Sequence, residues 1–232
     1  MPTPGNRIYT RINRPDPELV TGFATLASAT VSDVMNRDFC MWPGIKPLRK
    51  DAVLAGPALT VRPRPGDNLF LHAALDYAQP GDVLVVDAQG SAADALLGEI
   101  MGAYCQARGI AGFVTDGSVR DVKVLSGMEN FLVFSAAIGN QGPHRDGPGE
   151  VNTVITCGGV VVRPGDIIVG DCDGVVVVEK RFAKDVLEAA KALAAKEATI
   201  LAEVAKGNFN RPWLAESLRD KGTIIIDAAF DD

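Results

Sequence analysis

The sequence predicts a mixed three-layer α/β domain followed by a C-terminal helical extension. Helices and strands alternate through the middle of the chain and β hairpins follow them, which is typical of a sheet covered by other layers. The tail from Arg181 to Lys206 carries apolar residues at helical spacing and ends at Gly207, which predicts a long helix. We therefore expect a domain over residues 1–180 and a helical arm over residues 181–232, packed on that domain or on a neighbouring subunit.

The first half of the chain is predicted to alternate between helices and strands. Apolar periodicity and the glycine and proline turns set the boundaries. The expected elements are a helix over 16–37 with a break near 28–32, a strand over 52–61, a helix over 68–77, a strand over 83–86, a helix with its apolar stripe from Leu96 to Ala107 and Gly109 as C-cap, a strand over 110–114, a short helix opened by Ser118, and a strand over 131–134.

The second half is predicted to be rich in short strands. A loop over residues 139–150 contains several glycines and prolines, and strands follow over 151–156, 160–162, 167–169 and 175–178. Asp173-Gly174 predicts a tight hairpin between the last two strands, because glycine tolerates positive φ. Beyond the tail helix we expect a helix over 211–221 and a final strand over 223–226.

Composition and charge exclude several functional classes. Hydrophobic residues make up 47% of the 232 residues and charged residues 22%, which is usual for a globular protein with a sizeable core. A net charge of −6 without a basic run argues against nucleic acid as a partner, and no apolar run approaches the roughly 18 residues of a membrane span. Four scattered cysteines predict reduced thiols in a cytoplasmic protein. The common nucleotide-binding and hydrolase motifs are absent from the sequence, so a nucleotide cofactor is not expected.

The densest group of chemically active side chains is Asp116-Gly117-Ser118-Val119-Arg120-Asp121, directly after the predicted strand Ile110–Val114. Ligands usually bind beyond the carboxyl ends of strands in α/β sheets. At such a place Asp121 can hold a hard cation such as Mg²⁺, and Arg120 can pair with a carboxylate or a developing oxyanion. The same residues also fit a capping box, with Ser118 as N-cap and Asp121 at the third helical position. Taken alone, the six residues favour this structural interpretation.

A second candidate stretch runs from Gly90 to Met101 and follows the strand that ends at Asp87. Backbone N–H groups near a glycine at a helix start can receive a carboxylate. Glu99 is either a solvated acid of the first turn or, because both stretches follow adjacent predicted strands, a partner of Asp121 at one sheet edge.

Both histidines of the chain are candidates for acid–base chemistry, because the imidazole pKa lies near neutrality. The apolar neighbours of His72 on a short helix favour a packing role. His144 lies in the loop rich in glycine and proline, and we expect it nearer to a substrate.

An acidic residue interrupts the apolar stripe of the tail helix. A carboxylate in an apolar seam costs free energy unless it is paired or faces a polar cavity. The sequence leaves open whether Glu197 is functional or structural. In the structural case, either the helix end splays into solvent or Glu197 pairs with a nearby lysine such as Lys196. The stripe consists of Val186, Ala190, Leu193, Ile200 and Val204, and Glu197 occupies the position between Leu193 and Ile200.

Short motifs over roughly residues 28–180 resemble the RraA-like family in their order and spacing. No single motif is decisive, and the specificity lies in their combination. The motifs are Gly66-Asp67-Asn68 with His72, Pro80-Gly81-Asp82-Val83, Gly98-Glu99, Arg108-Gly109, Asp116 to Asp121, Arg163-Pro164-Gly165-Asp166 and Asp171-Cys172-Asp173-Gly174-Val175.

The resemblance implies a compact three-layer α/β/β sandwich of the swivelling type, assembled as a homotrimer or a dimer of trimers with sites between subunits. One branch of the family includes 4-hydroxy-4-methyl-2-oxoglutarate/4-carboxy-4-hydroxy-2-oxoadipate aldolase, a class II pyruvate aldolase that also decarboxylates oxaloacetate. Another branch contains the regulator of ribonuclease E activity, and members have often been labelled menaquinone methyltransferases. Because simple regulators lack the C-terminal extension, the resemblance favours a lyase of small 2-oxo acids.

The resemblance also implies roles for individual residues. Asp121 would be the direct ligand of Mg²⁺ or Mn²⁺, and Glu99 would hold a water on that metal. Arg120 would contact the substrate oxygens. The backbone amides of Gly98, Ile100 and Met101 would receive the pyruvyl carboxylate. Glu197 would complete the site from a neighbour's C-terminal helix.

These residue types suit the implied chemistry. Cleaving a C–C bond beta to a ketone leaves an enolate, whose charge needs a Lewis acid and a nearby cation. The loop from Gly139 to Gly149 differs from the characterised aldolases, so His144 or Arg145 is expected to select the substrate. The competing hypotheses are a regulatory binding protein without turnover, a methyltransferase, which would need a glycine-rich nucleotide loop, and a Schiff-base aldolase that uses Lys123.

Overall fold

The computed structural model describes residues 3–230. Its first half alternates helices with strands, as the apolar periodicity predicts. The elements are β1 (Arg7–Ile8), α1 (Pro17–Phe23), α2 (Ser28–Val34), β2 (Lys46–Pro47), β3 (Leu54–Pro63), α3 (Leu69–Leu75), β4 (Val83–Val86), β5 (Ala95–Leu97), α4 (Glu99–Ala107), β6 (Gly112–Val119), α5 (Val122–Leu125) and β7 (Leu132–Ile138).

The second half begins with five short strands and ends in helices. The predicted hairpin is confirmed, because Asp171 pairs with Gly174 across the turn that joins β11 to β12. The elements are β8 (Gly149–Val151), β9 (Ile155–Cys157), β10 (Val160–Val162), β11 (Ile167–Asp171), β12 (Gly174–Val178), a 3₁₀ turn (Lys180–Phe182), α6 (Ala183–Val204) and α7 (Pro212–Asp220).

Four parallel strands in the order β3-β4-β6-β7 form the centre of the main sheet. The first part of β3 runs antiparallel to β11, and its last residues run antiparallel to β8. β5 adds to the carboxyl end of β6, where Ala95 lies beside Ser118 and Leu97 beside Val119. Since β4, β6 and β7 are parallel, their carboxyl ends meet at one edge of the sheet, where ligands usually bind in α/β proteins.

Three apolar clusters separate the layers and confirm the α/β/β class. The first joins α3, α4 and α5 to one face of the sheet and includes Leu71, Cys105 and Phe113. The second lies between the sheet and the β9–β12 strands and includes Phe134 and Ile168. The third covers the outer face of the β11–β12 hairpin with α1, α2 and the start of α6, and its buried members include Phe23, Val176 and Leu187.

The chain divides into two compact units after Leu193, inside α6. In the first unit, Ala183, Leu187 and Ala190 of this helix are buried in the third cluster. In the second unit, no residue from Ala194 to residue 230 is buried. The domain boundary expected after residue 180 stays a prediction. Within residues 3–230, no helix is both long and apolar enough to cross a membrane.

The predicted strand over Thr223–Ile226 is wrong. This segment forms neither a helix nor a strand, and its isoleucines are 75–83% exposed. A β-branched sequence favours extended pairing only where a neighbouring strand edge can accept it. No strand within the described part of the chain pairs with this segment.

Two other boundaries were misplaced for tertiary reasons. The break in the first helical segment falls at residues 24–27, not near 28–32. Ser28 instead begins α2, where its backbone N–H and its hydroxyl each donate to the Asp171 carboxylate at 2.7 Å. The predicted strand over 151–156 is divided between β8 and β9, because Asn152 adopts a positive φ of 55°.

An ion pair ties the N-terminal segment to the sheet. Arg14 donates from Nε and Nη2 to the two oxygens of Asp82, at 2.8 and 2.7 Å, and Asp82 is fully buried. Replacing Arg14 with alanine leaves this buried carboxylate without its cation. We expect a loss of about 3–5 kcal/mol in the free energy of unfolding, measured by urea denaturation. The exposed Arg11→Ala variant is the matched control, and an equal loss in both variants would contradict the expectation.

Candidate functional site

The Asp116–Asp121 motif lies mostly within a strand, and the capping-box prediction is wrong. β6 continues to Val119, with a change of register between Thr115 and Ser118, and Ser118 pairs with β5 and β7 on its two sides. The Ser118 side chain is fully buried, and its hydroxyl has no hydrogen-bond partner among residues 3–230. Sequence reasoning ended the strand at Val114 because polar residues follow, but pairing on both sides extends it.

Asp121 occupies the turn between β6 and α5. Its backbone is left-handed, with φ 58° and ψ 37°, a conformation that aspartate tolerates better than most residues. Its side chain does not cap α5. Instead Oδ2 accepts a hydrogen bond from the backbone N–H of Glu99 at 2.9 Å, and Arg120 Nε lies 3.6 Å from the same oxygen. The carboxylate therefore joins the end of β6 to the start of α4.

Gly98 makes this close approach feasible. A Cβ at this position would lie 2.5 Å from Asp121 Oδ2 and 3.0 Å from Arg120 Nε, so a larger residue would displace both side chains. Gly142 is similarly close to the guanidinium, since a Cβ there would lie 2.8 Å from Arg120 Nη1. Arg120 is thus held between the start of α4 and the loop after β7, with 41% of its side chain exposed.

A cavity of about 200 Å³ brings most of the predicted site residues together. The N–H groups of Ile100 and Met101 belong to the first turn of α4, where helices leave backbone donors without intrahelical partners. Such donors favour an anion. The cavity is lined by Asn68, His72, Ala95, Leu96, Gly98, Glu99, Ile100, Met101, Arg120, Asp121, Pro143 and Arg145.

The apolar stripe predicted for this helix is partly wrong. Leu96 lies in β5, one element before the helix begins. Ile100 is 88% exposed, whereas Met101 and Cys105 are buried. Ala103, Tyr104 and Ala107 of the predicted stripe are also exposed, so the buried face of α4 is not the one that apolar spacing indicates.

A further part of the cavity lining comes from Asn68 and α3 and from the loop over 139–149. The Asp67 carboxylate organises this loop by accepting hydrogen bonds from the N–H groups of Asp146, Gly147 and Leu69. Burial acts to raise the pKa of Asp67, but these three N–H groups prevail and lower the pKa below its usual value. The loop is held as a defined wall, from which Arg145 faces the cavity.

The two histidines differ in their relation to the cavity. His72 lines the cavity, and burial together with the nearby Arg145 lowers the pKa of its imidazole. His144 is exposed and does not line the cavity, although it is part of the same loop. The backbone of His144 fixes the loop instead, since its N–H donates to Gly66 and its carbonyl accepts from Asn68. The sequence offers His72 as an acid–base candidate but favours a packing role for it, and it assigns no role to Asn68. The four-residue spacing of the two residues was the available signal for a shared site.

Asp116 does not join Asp121. It lines a separate cavity of about 800 Å³ beside Phe39, Trp42 and Val160. Its Oδ1 accepts from the Ala88 N–H at 2.7 Å, and burial raises the pKa of its carboxyl despite that bond. The two aspartates of the Asp116–Asp121 motif therefore line two different cavities.

Glu197 lies on α6 in the second unit and is partly buried. Its role beside Asp121 of a neighbouring subunit stays a prediction. The first part of its stripe packs as expected, because Ala190 is buried and Val186 is partly buried. The last part does not, since Ile200 is 41% exposed and Val204 is 42% exposed.

The fold and the site together indicate an α/β/β protein that binds a small anionic ligand. Helix N–H groups, an arginine and a carboxylate line one cavity at the carboxyl end of the parallel strands. Residues 28–177 match the model of the RraA-like family, described as Aldolase/RraA, and the chain belongs to this family. A relative from Halalkalibacterium halodurans, provisionally named a 4-hydroxy-4-methyl-2-oxoglutarate aldolase, is 39% identical over 75% of this chain and 82% of its own.

Solved structures confirm the fold. An uncharacterized protein from Pseudomonas syringae pv. tomato is 26% identical and superposes with a TM-score of 0.76, over 84% of this chain and 96% of that one. RraAS2 from Streptomyces coelicolor, described as an unusual member of the RNase ES inhibitor RraA family, is 30% identical with a TM-score of 0.73, over 80% and 98% of the two chains.

Proposed function

We propose that this protein is a divalent-metal-dependent lyase that cleaves C–C bonds of small 2-oxo acids, with oxaloacetate decarboxylation as a side activity. The observation that carries the proposal is the convergence of Arg120, Asp121 and the first-turn amides of α4 on one small cavity. Such a cavity suits a small acid with a carboxylate next to a ketone. The name of the Halalkalibacterium halodurans relative supports the same class of reaction.

The residues present fit Mg²⁺ or Mn²⁺ better than zinc. Mg²⁺ keeps several waters and needs only one or two carboxylates, and Asp121 is a carboxylate whose side chain is 40% exposed at the cavity. Glu99 is exposed beside it, at a place suited to holding a coordinated water. When bound, the metal would act as a Lewis acid on the ketone and lower the free energy of the enolate.

The protein's own groups would bind the substrate and stabilise the negative charge that develops during cleavage. The N–H groups of Ile100 and Met101 receive the carboxylate of the 2-oxo acid at the start of α4. Arg120 faces the oxygen on which negative charge develops when the C–C bond breaks, and its guanidinium is fixed before substrate arrives. Lys123 is exposed and outside the cavity lining, which does not favour the Schiff-base alternative.

We further propose a homotrimer or a dimer of trimers, in which the C-terminal arm of one subunit reaches the site of the next. The second unit is too short to bury a core of its own and exposes Leu201, Phe209 and Trp213. A neighbouring copy that covers these side chains would bring Glu197 to the cavity that contains Asp121. Closed rings of identical subunits repeat such a contact at each interface.

A regulatory binding protein without turnover is the second candidate, favoured by the likeness to RraAS2. The two functions share the fold and differ in catalysis. The test is pyruvate release by the purified protein from a panel of 4-hydroxy-2-oxo acids and from oxaloacetate, with Mg²⁺ present. Turnover of at least one substrate supports the lyase, and no turnover of any substrate by the folded protein would favour the regulator.

A further inference from the structure

The α3 wall of the cavity carries an unused hydrogen-bond acceptor. Asn68 is 5% exposed, and its Nδ2 donates to the Leu96 carbonyl at 3.3 Å. Its Oδ1 has no hydrogen-bond partner within the described part of the chain. Because a carbonyl oxygen only accepts, the amide nitrogen must face Leu96, and the amide oxygen is thereby turned the other way.

The position of Asn68 makes this arrangement unusual. Asn68 is the N-cap residue of α3, where an asparagine side chain normally accepts from the backbone of the helix, yet it makes no capping bond here. A buried oxygen that accepts no hydrogen bond, neither from the helix backbone nor from another donor, lowers the stability of the folded protein. A donor supplied by a ligand in the cavity would satisfy it.

His72 lies one helical turn beyond Asn68 and lines the same cavity. Residues four apart share a helix face, so both side chains belong to one wall. Burial and the nearby Arg145 lower the pKa of His72, which keeps the imidazole neutral at pH 7. A neutral imidazole has one ring nitrogen that can accept a proton.

We infer that Asn68 and His72 form the hydroxyl-recognising wall of the site, with Asn68 Oδ1 accepting a hydrogen bond from the C4 hydroxyl of a 4-hydroxy-2-oxo acid and His72 taking its proton. This inference rests on the proposed lyase function. It assigns the residues that act on the C4 hydroxyl, within the cavity that Arg120 and Asp121 also line.

The step balances without any further reactant. The C4 hydroxyl proton moves to the His72 nitrogen, and the O–H electron pair becomes the new C4=O bond. The C3–C4 pair passes to the 2-oxo acid fragment as an enolate. A proton returned to C3 then gives pyruvate, so one 4-hydroxy-2-oxo acid yields pyruvate and one carbonyl compound.

Oxaloacetate as a second substrate tests the role of Asn68 and His72 separately from the role of the other cavity residues. It has no C4 hydroxyl, and its C3–C4 bond breaks with loss of CO₂ from an already ionised carboxylate. Decarboxylation therefore uses the enolate-stabilising wall but requires no proton transfer from a hydroxyl. A residue that acts on the hydroxyl should affect aldol cleavage far more than decarboxylation.

The experiment compares kcat/KM for 4-hydroxy-4-methyl-2-oxoglutarate cleavage and for oxaloacetate decarboxylation in wild type, His72→Gln and Asn68→Ala. We expect His72→Gln to lower cleavage by about 10²-fold or more, as loss of a general base does. In both variants the loss in cleavage should exceed the loss in decarboxylation at least tenfold. His144→Gln is the matched control, because that histidine is exposed and outside the cavity lining.

The outcomes are distinguishable. Asn68→Ala also removes the bond to Leu96 and could fail to fold. The test then rests on His72→Gln, because His72 is an exposed residue whose replacement should leave the fold intact. Equal losses in both reactions, or unchanged cleavage in His72→Gln, would overturn the inference and leave the lyase intact. Wild-type protein that decarboxylates oxaloacetate but cleaves no 4-hydroxy-2-oxo acid would also overturn the inference and leave the lyase function intact. Wild-type protein that turns over neither substrate would refute the proposed function itself.

Discussion

Replacing Arg120 with alanine is expected to lower kcat for pyruvate release by about 10²–10³, the usual effect of losing one oxyanion-stabilising donor. The fold should survive, because the strand-end hydrogen bond of this residue comes from its backbone N–H to the Leu97 carbonyl. Its side chain makes a 3.6 Å ion pair with Asp121 and is 41% exposed, so little stability depends on it. Steady-state kinetics and thermal unfolding of the same preparation measure both effects.

Arg163→Ala is the matched control for this experiment. Arg163 also has an acidic partner at 3.6 Å and is 47% exposed, but it lies outside the cavity lining. We expect it to retain nearly full activity. If Arg120→Ala melted far below wild type and kept its turnover per folded molecule, Arg120 would be a structural residue and the proposed role would be wrong.

Mixing two inactive variants is expected to restore activity. Glu197→Ala and Asp121→Ala should each be inactive alone, because each removes one carboxylate from every shared site. After they are unfolded and refolded together, some interfaces pair an intact Glu197 of one subunit with an intact Asp121 of the next. Activity should return in part, to about a quarter of wild type, because in a random closed ring each interface has a one-in-two chance of each intact residue.

Glu203→Ala provides the control on the same helix, since Glu203 is exposed and paired with Lys206. This variant should be active alone. Mixed oligomers verified by native mass spectrometry that show no recovery would contradict the shared site, and Glu197 would then be a local residue of its own subunit.

Most of the fold could be predicted from local patterns. The strands Val83–Val86 and Val160–Val162 have the predicted bounds, because continuous apolar runs between glycine and proline turns define them. Ser118 could not be placed this way. It is polar, and only pairing with β5 and β7 on both sides makes its position a buried strand. The end of β6 therefore depends on pairing with strands that are distant in the sequence, which local sequence patterns do not show.

Part of the candidate site could also be predicted from the sequence. Glu99 and Asp121 lie at one sheet edge, where the Glu99 backbone N–H donates to the Asp121 carboxylate. Glu99 follows β5, a short strand that the sequence did not predict, and the role of its side chain stays a prediction. The α3 wall was not expected, since apolar neighbours made His72 look like a packing residue. Asp116 was grouped with Asp121 by sequence proximity, yet strand alternation and the change of register direct it to another cavity.

The most direct test of the metal-dependent lyase is oxaloacetate decarboxylation before and after exhaustive dialysis against EDTA, followed by return of Mg²⁺ or Mn²⁺. Asp121 is the proposed ligand, so Asp121→Ala should resemble the dialysed wild type and should not respond to added metal. We expect activity to be lost on dialysis and to be restored by either cation in wild type alone. Full activity in the metal-free protein would contradict it.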